Sequence, residues 1–268
     1  RDENGIATAV VSMSSPGVHF GDDTAAAALA REVNVVASTA QDEHPDRFAF
    51  FASLPLPDAA AAAAELSFAM DELDAKGAVV ETNSHGVYLG DGRMDAVYEQ
   101  LDARRGILFI HPTSPACFEA TSLGRPRPMI EFMFDTARAV TDLIVAGVPQ
   151  RYPRMPIVVP HAGGVLPLLA DRIQGFLSLF GDPDQPKPDV LGDLSRMYFD
   201  LAGDPFPRVV PSLLTIVPRD HLLYGTDYCW TPAPGVAKRL ALIEADSPDW
   251  RASTTTAARA LLDAVGKD

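Results

Sequence analysis

Cysteine is nearly absent: Cys117 and Cys229 are the only two in 268 residues. That excludes a disulfide framework and reads as two reduced thiols in a cytoplasmic protein. Basic residues are few, 22 Lys and Arg against 36 Asp and Glu, a net charge of −14. A surface of that sign excludes a nucleic-acid binder, which must neutralise phosphates, and a binder of anionic membranes. No apolar run reaches the roughly 20 residues that cross a bilayer. No Gly-x-Gly-x-x-Gly follows the first strand candidate and no Walker motif occurs, which weakens nucleotide-binding α/β readings. The opening Arg1-Asp2-Glu3-Asn4-Gly5 is unlike a signal peptide. It reads as the end of a helix with a Gly cap, so residues preceding Arg1 are expected. Hydrophobic residues, by contrast, make up 47%, enough to offset the ordering entropy of a folded chain.

Short β-rich runs alternate with longer amphipathic ones. Strands are expected at 6–13, 48–54, 78–82, 107–111, 157–159, 197–201 and 221–224. Helices are expected at 23–39, 58–73, 94–104, 130–146, from Gly163 or Gly164 to 179, at 207–217, 236–245 and 254–265. Asp58 is the expected cap of the second helix, with Glu65, Asp71 and Glu72 on its wet side. In the fourth, Phe134, Ala137, Thr141 and Ile144 belong to the apolar stripe. Residues 83–91 and 112–128 read as loops, and 181–188 as a Pro-rich surface excursion. Strand–helix alternation implies parallel pairing, since a parallel crossover needs a helix-sized connection. Seven such units plus one preceding them make eight, so a single-domain (β/α)8 barrel over 1–268 is expected. Ile6–Val11 and His221–Tyr224 would be its outermost strands.

Chemistry in such a barrel sits at the C-terminal ends of the strands. Strand 107–110 ends in His111-Pro112, strand 157–159 in Pro160-His161-Ala162-Gly163-Gly164, and strand 222–224 in Gly225-Thr226-Asp227-Tyr228. Two imidazoles and a carboxylate at one mouth are suitable ligands for a divalent ion. Asp200 adds an acid, and Glu81-Thr82-Asn83 adds polar groups from another strand. The remaining histidines read as structural. His44 lies in a polar turn, His221 on the opposite face, and His85 and His19 in loops at the active end.

The strings His111-Pro112-Thr113, His161-Ala162-Gly163-Gly164 and Gly225-Thr226-Asp227-Tyr228 resemble the amidohydrolase-related family. The branch they resemble is that of metal-dependent, non-oxidative decarboxylases, including aminocarboxymuconate-semialdehyde and methylsalicylate decarboxylases. Phe48-Ala49-Phe50-Phe51-Ala52-Ser53-Leu54-Pro55, Tyr88-Leu89-Gly90-Asp91 and Glu131-Phe132-Met133-Phe134-Asp135 resemble the methylsalicylate type. The resemblance implies that His111 and Asp227 bind the metal and that His161 is the acid/base residue. Asn83, Thr113, Asp200 and Tyr228 are the expected substrate-binding residues. Zn²⁺ is the expected ion and Mn²⁺ the alternative; the partner is a small carboxylic acid, and relatives are commonly homo-oligomers. Two departures stand out. Benzoate-type members often carry a carboxylate three residues after the catalytic His, where this chain has Gly164; that draws the site toward the aminocarboxymuconate type. The family's His-x-His or Glu-x-His pair on its first strand is not found in these 268 residues.

The expected activity is therefore removal of a carboxyl group from a small aromatic or muconate-like acid. A metal-dependent hydrolase of a lactone, amide or ester on the same site is the first rival. A non-catalytic barrel is the second.

Overall fold

The β-rich runs pair side by side in chain order, each too short to stand without its neighbours. The computed structural model describes residues 4–181 and 187–267. Arg1-Asp2-Glu3 of the expected helix end and 182–186 of the Pro-rich excursion therefore lie outside the described residues. The strands are β1 (Ala9–Val11), β2 (Phe48–Phe50), β3 (Ala52–Ser53), β4 (Gly77–Glu81), β5 (Asn83–Ser84), β6 (Val87–Tyr88), β7 (Ile107–His111), β8 (Ile157–Val159), β9 (Tyr198–Asp200) and β10 (Leu222–Leu223). β1 pairs with β2, and β3, β4, β7, β8, β9 and β10 follow in that order, all parallel. β2 and β3 are one run interrupted at Phe51, whose N–H donates to Val11 O. Among the described residues this gives seven parallel units in barrel order, with β1 and β10 outermost.

Helices α1 (Asp23–Glu43), α2 (Ala59–Glu72), α3 (Asp95–Arg104), α4 (Phe118–Thr121), α5 (Arg127–Val145), α6 (Val148–Arg151), α7 (Leu166–Phe180), α8 (Val190–Arg196), α9 (Val209–Leu213), α10 (Ala233–Asp246) and α11 (Trp250–Ala264) fill the connections. Asp22 caps α1 through Ala25 N–H, and Asp58 caps α2 through Ala60 and Ala61 N–H. Each such cap contributes about 1 kcal/mol. One buried cluster, including Phe50, Leu66, Val80, Tyr98, Ile110, Val159 and Phe199, joins sheet to helices. No described helix is long and apolar enough to cross a membrane.

Four local expectations are corrected. Residues 83–91 are not simply a loop: β5 and β6 form an antiparallel hairpin. Its two tip residues, His85 and Gly86, have φ of 51° and 84°. Two positive φ angles are what a two-residue hairpin turn of matching twist requires. The segment 112–128 contains α4, and α5 begins within it at Arg127. Glu65 is buried, taken by Arg31 and Asn34 of α1. On α5 the buried face carries Glu131 and Asp135, while Phe134 is half exposed.

Candidate functional site

The strand ends on the β4–β7 side form a closely bonded group. Glu81 and His111 end neighbouring parallel strands and are register partners. Three groups surround His111 Nδ1: Ser15 N–H at 3.3 Å, Pro112 O at 3.0 Å and Glu81 Oε2 at 3.6 Å. The ring can thus accept from Ser15 as one tautomer, or donate to Pro112 O when Nδ1 is protonated. Burial pushes the Glu81 carboxyl up, opposed by His111. Its Oε2 has no hydrogen-bond partner although buried. Thr113 N–H donates to Thr82 Oγ1 (3.1 Å), and Thr113 Oγ1 lies 2.8 Å from Ser15 Oγ. Asn83 is buried; its amide donates to Ser114 O (3.1 Å) and accepts from Gly86 N–H (3.0 Å).

A cavity of about 280 Å³ opens beside this group. Met13, Val18, Leu54 and Phe118 supply apolar wall, and Glu81, Asn83, Thr113, His19, His85 and Arg127 supply polar wall. Small-molecule sites run from roughly 300 Å³ upward, so this one suits a single ring. His19 and His85, expected in loops at the active end, both line this cavity. They meet edge to face with ring centroids 4.6 Å apart. Their common signal was position, since both follow strand ends.

On the β8–β10 side the backbone does the positioning. His161, Ala162, Gly163 and Gly164 all have positive φ (55°, 52°, 81° and 60°). For the first two this is a conformation side chains rarely adopt. His161 N–H donates to Asp200 Oδ1 (2.9 Å), which also accepts from Ala202 N–H (2.9 Å). Gly203, with φ of 80°, lets its backbone approach the ring: a Cβ there would stand 3.2 Å from His161 Cδ2. His161 Nε2 lies 4.0 Å from Asp227 Oδ2, and buried Nδ1 has no hydrogen-bond partner. Burial pulls the imidazolium pKa down. The neighbouring carboxylates of Asp227 and Asp200 outweigh it, so the net direction is up. Gly164 is crowded, since a Cβ would meet Met133 O of α5 at 3.0 Å, and its φ is positive.

The structure therefore groups His161, Asp200 and Asp227, and separately groups His111, Thr113, Asn83 and Glu81. Tyr228 is exposed and outside the cavity wall. Among the described residues, no group of three or more His, Cys, Asp or Glu is arranged to hold a metal ion. The donor types, imidazole nitrogen and carboxylate oxygen, suit a divalent ion. Their number does not complete a catalytic centre, which takes about three protein ligands. Both cysteines are free and exposed.

Residues 5–262 match the Amidohydro_2 family, described as Amidohydrolase. The chain is 33% identical over 245 residues to the 6-methylsalicylic acid decarboxylase of Penicillium expansum, covering 90% of this chain and 76% of that protein. A crystal structure of an amidohydrolase II is similar with a TM-score of 0.89 and 31% identity, covering 98% of this chain and 86% of that one. The fold is also that of a dihydroxybenzoic acid decarboxylase from Polaromonas, solved with manganese and the inhibitor 2-nitroresorcinol. That match has a TM-score of 0.86 and 24% identity over 98% of this chain and 83% of that one.

Proposed function

This chain belongs to the amidohydrolase family, and from that premise we propose that it is a metal-dependent, non-oxidative decarboxylase of a small aromatic carboxylic acid. One observation carries the reading. Across 90% of its length the chain is similar to an enzyme named for removing the carboxyl group of 6-methylsalicylic acid. A cavity sized for one ring, walled in part by Glu81, Asn83 and Thr113, supports it.

His111 and Asp227 would supply two of the metal's protein ligands. When bound, a divalent ion withdraws charge from the substrate's carboxylate or hydroxyl oxygens. Zn²⁺ is the proposed ion on donor chemistry, with Mn²⁺ as the alternative. The proton belongs to His161. Asp227 and Asp200 favour its charged form, so it can donate to the ring carbon that bears the carboxylate. That carbon becomes tetrahedral. The bond to the carboxyl carbon then breaks, its electron pair returns to the ring, and carbon dioxide leaves. Solvent restores the proton to His161, and no oxidant is consumed. Thr113 and Asn83 would contact the substrate from the cavity wall. Asp200 would act through the His161 backbone, and Tyr228 from the rim. The proposed setting is the cytoplasm, consistent with two free thiols, and the proposed state is a homo-oligomer, to be checked by light scattering.

The test measures carbon dioxide release from 6-methylsalicylate and 2,6-dihydroxybenzoate, with metal content, after adding Zn²⁺ or Mn²⁺ to chelator-treated enzyme. Metal-dependent release supports the reading. Hydrolysis of lactones or esters with no carbon dioxide from any aromatic acid refutes it.

A further inference from the structure

Asp135 lies on α5, fully buried, one turn beyond Glu131. Its carboxylate is filled by donors from elsewhere in the fold. Oδ2 accepts from Thr82 Oγ1 (2.6 Å) and Asn83 Nδ2 (2.8 Å). Oδ1 accepts from the Tyr88 hydroxyl (2.6 Å) and from Arg138 Nη1. Three of these donors come from the end of β4 and the hairpin behind it. We propose that Asp135 is the positioning residue of the candidate site, orienting the hairpin that carries Asn83 and the strand end that carries His111 and Thr113. This inference rests on the functional reading above.

The argument is one of hydrogen-bond polarity. A carboxylate only accepts, so it fixes the direction of every bond around it. Thr82 spends its hydroxyl proton on Asp135, which leaves an oxygen lone pair to accept Thr113 N–H (3.1 Å). Thr82 N–H in turn donates to His111 O (3.0 Å). Thr113 Oγ1 meets Ser15 Oγ, and Ser15 N–H reaches His111 Nδ1. Asn83 must turn its NH₂ toward Asp135, which leaves Oδ1 for Gly86 N–H and so fixes the hairpin tip carrying His85. A neutral amide of the same shape cannot replace this. In Asp135→Asn the NH₂ would face either the Asn83 amide donors or the Arg138 guanidinium. If Thr82 turned to accept from it, its hydroxyl proton would lose its acceptor and its oxygen would be shared between two donors, weakening the Thr113 bond.

The experiment uses the full native enzyme and 6-methylsalicylate. Per folded molecule, Asp135→Asn should lower kcat/KM about 10–100-fold, the range for a lost supporting contact or a displaced reacting group. The loss should appear in kcat and KM; a merely structural role would lower the melting temperature and leave both unchanged per folded molecule. Combined with Asn83→Ala, the losses should fall short of adding, because the two residues share one network. Wild-type kinetics in folded Asp135→Asn, or full additivity, overturns the inference while leaving the decarboxylase reading intact. Should Asp135→Asn fail to fold, Thr82→Val carries the test: it cuts the Thr113 branch alone, and wild-type kcat there overturns the inference. If the wild-type enzyme releases no carbon dioxide from any aromatic acid, the functional reading fails by itself. The positioning claim is then decided by amide hydrogen exchange. Thr113 N–H must exchange faster in Asp135→Asn than in wild type, and unchanged exchange overturns it.

Discussion

Around His111 the loops are held by side chains that converge on a buried carboxylate, whereas around His161 the main chain itself is bent and Asp200 pins it by accepting two N–H groups. The first construction depends on which atoms donate and which accept. The second depends on dihedral angles and on how closely backbone can approach a ring. The two halves should therefore break differently. One should fail when polarity is altered at constant shape, the other when volume is added.

The largest effect is expected at the imidazole held by the bent main chain. His161→Ala should lower decarboxylation by roughly 10²–10⁴ in kcat, the usual worth of general acid–base catalysis. Metal content should hold, read by elemental analysis beside carbon dioxide release. Asp227→Ala should lose both together, because a charged ligand is gone. Equal metal loss in the two variants would erase the distinction between proton handling and ligation.

Next is added volume. Gly164→Ala places a methyl 3.0 Å from Met133 O at a φ of 60°. Strain of this kind costs about 1–3 kcal/mol per residue, and urea denaturation should show at least that loss. The same change at Gly86, where a Cβ meets nothing within 4 Å, should cost only its positive-φ penalty. Altered polarity on the other side is probed by Asn83→Ala. It strands Gly86 N–H and removes a donor from Asp135, at roughly 1–3 kcal/mol by the same measurement. If Asn83→Ala were harmless, the bonded frame would be decorative.

The smallest effect is at alkaline pH. Burial, and then the bond to Asp135, push the Tyr88 phenol up to about 12; burial does the same for Tyr224. A phenol near 10 when unfolded then gives up its proton earlier in the unfolded chain than in the native one. The unfolded state binds fewer protons above pH 10, so stability falls as pH rises from about 10 to 12. Below pH 10 both states keep the proton and the contribution is fully present. Tyr88→Phe should flatten part of that slope in denaturation curves taken across the interval.

These contrasts also explain what could be read from the chain beforehand. Strand–helix alternation revealed the parallel order, and the strand ends singled out His111, His161 and Asp227 as candidates, because both signals are local. The buried carboxylates escaped notice. Glu65 and Asp135 stand in helices where periodicity puts charge on the wet face, yet Glu65 is matched by Arg31 and Asn34, and Asp135 by Thr82, Asn83 and Tyr88. Partners about 30 to 50 residues away leave no trace in a helical repeat. His85-Gly86 was legible in principle as a hairpin tip, but Ser84 and Asn83 disguised the strand before it.

Gly164 bears on how this site could change over generations. Three residues after His161 this chain has a residue whose backbone angles disfavour a side chain and whose contact with α5 crowds one. A single codon change toward Asp or Glu would meet the Met133 carbonyl before it could serve any substrate. The helix would have to shift first, and α5 is the helix that carries Asp135. Adaptation at one mouth residue is thereby tied to the framework of the opposite side, so the two halves are free to diverge in chemistry only if they move together.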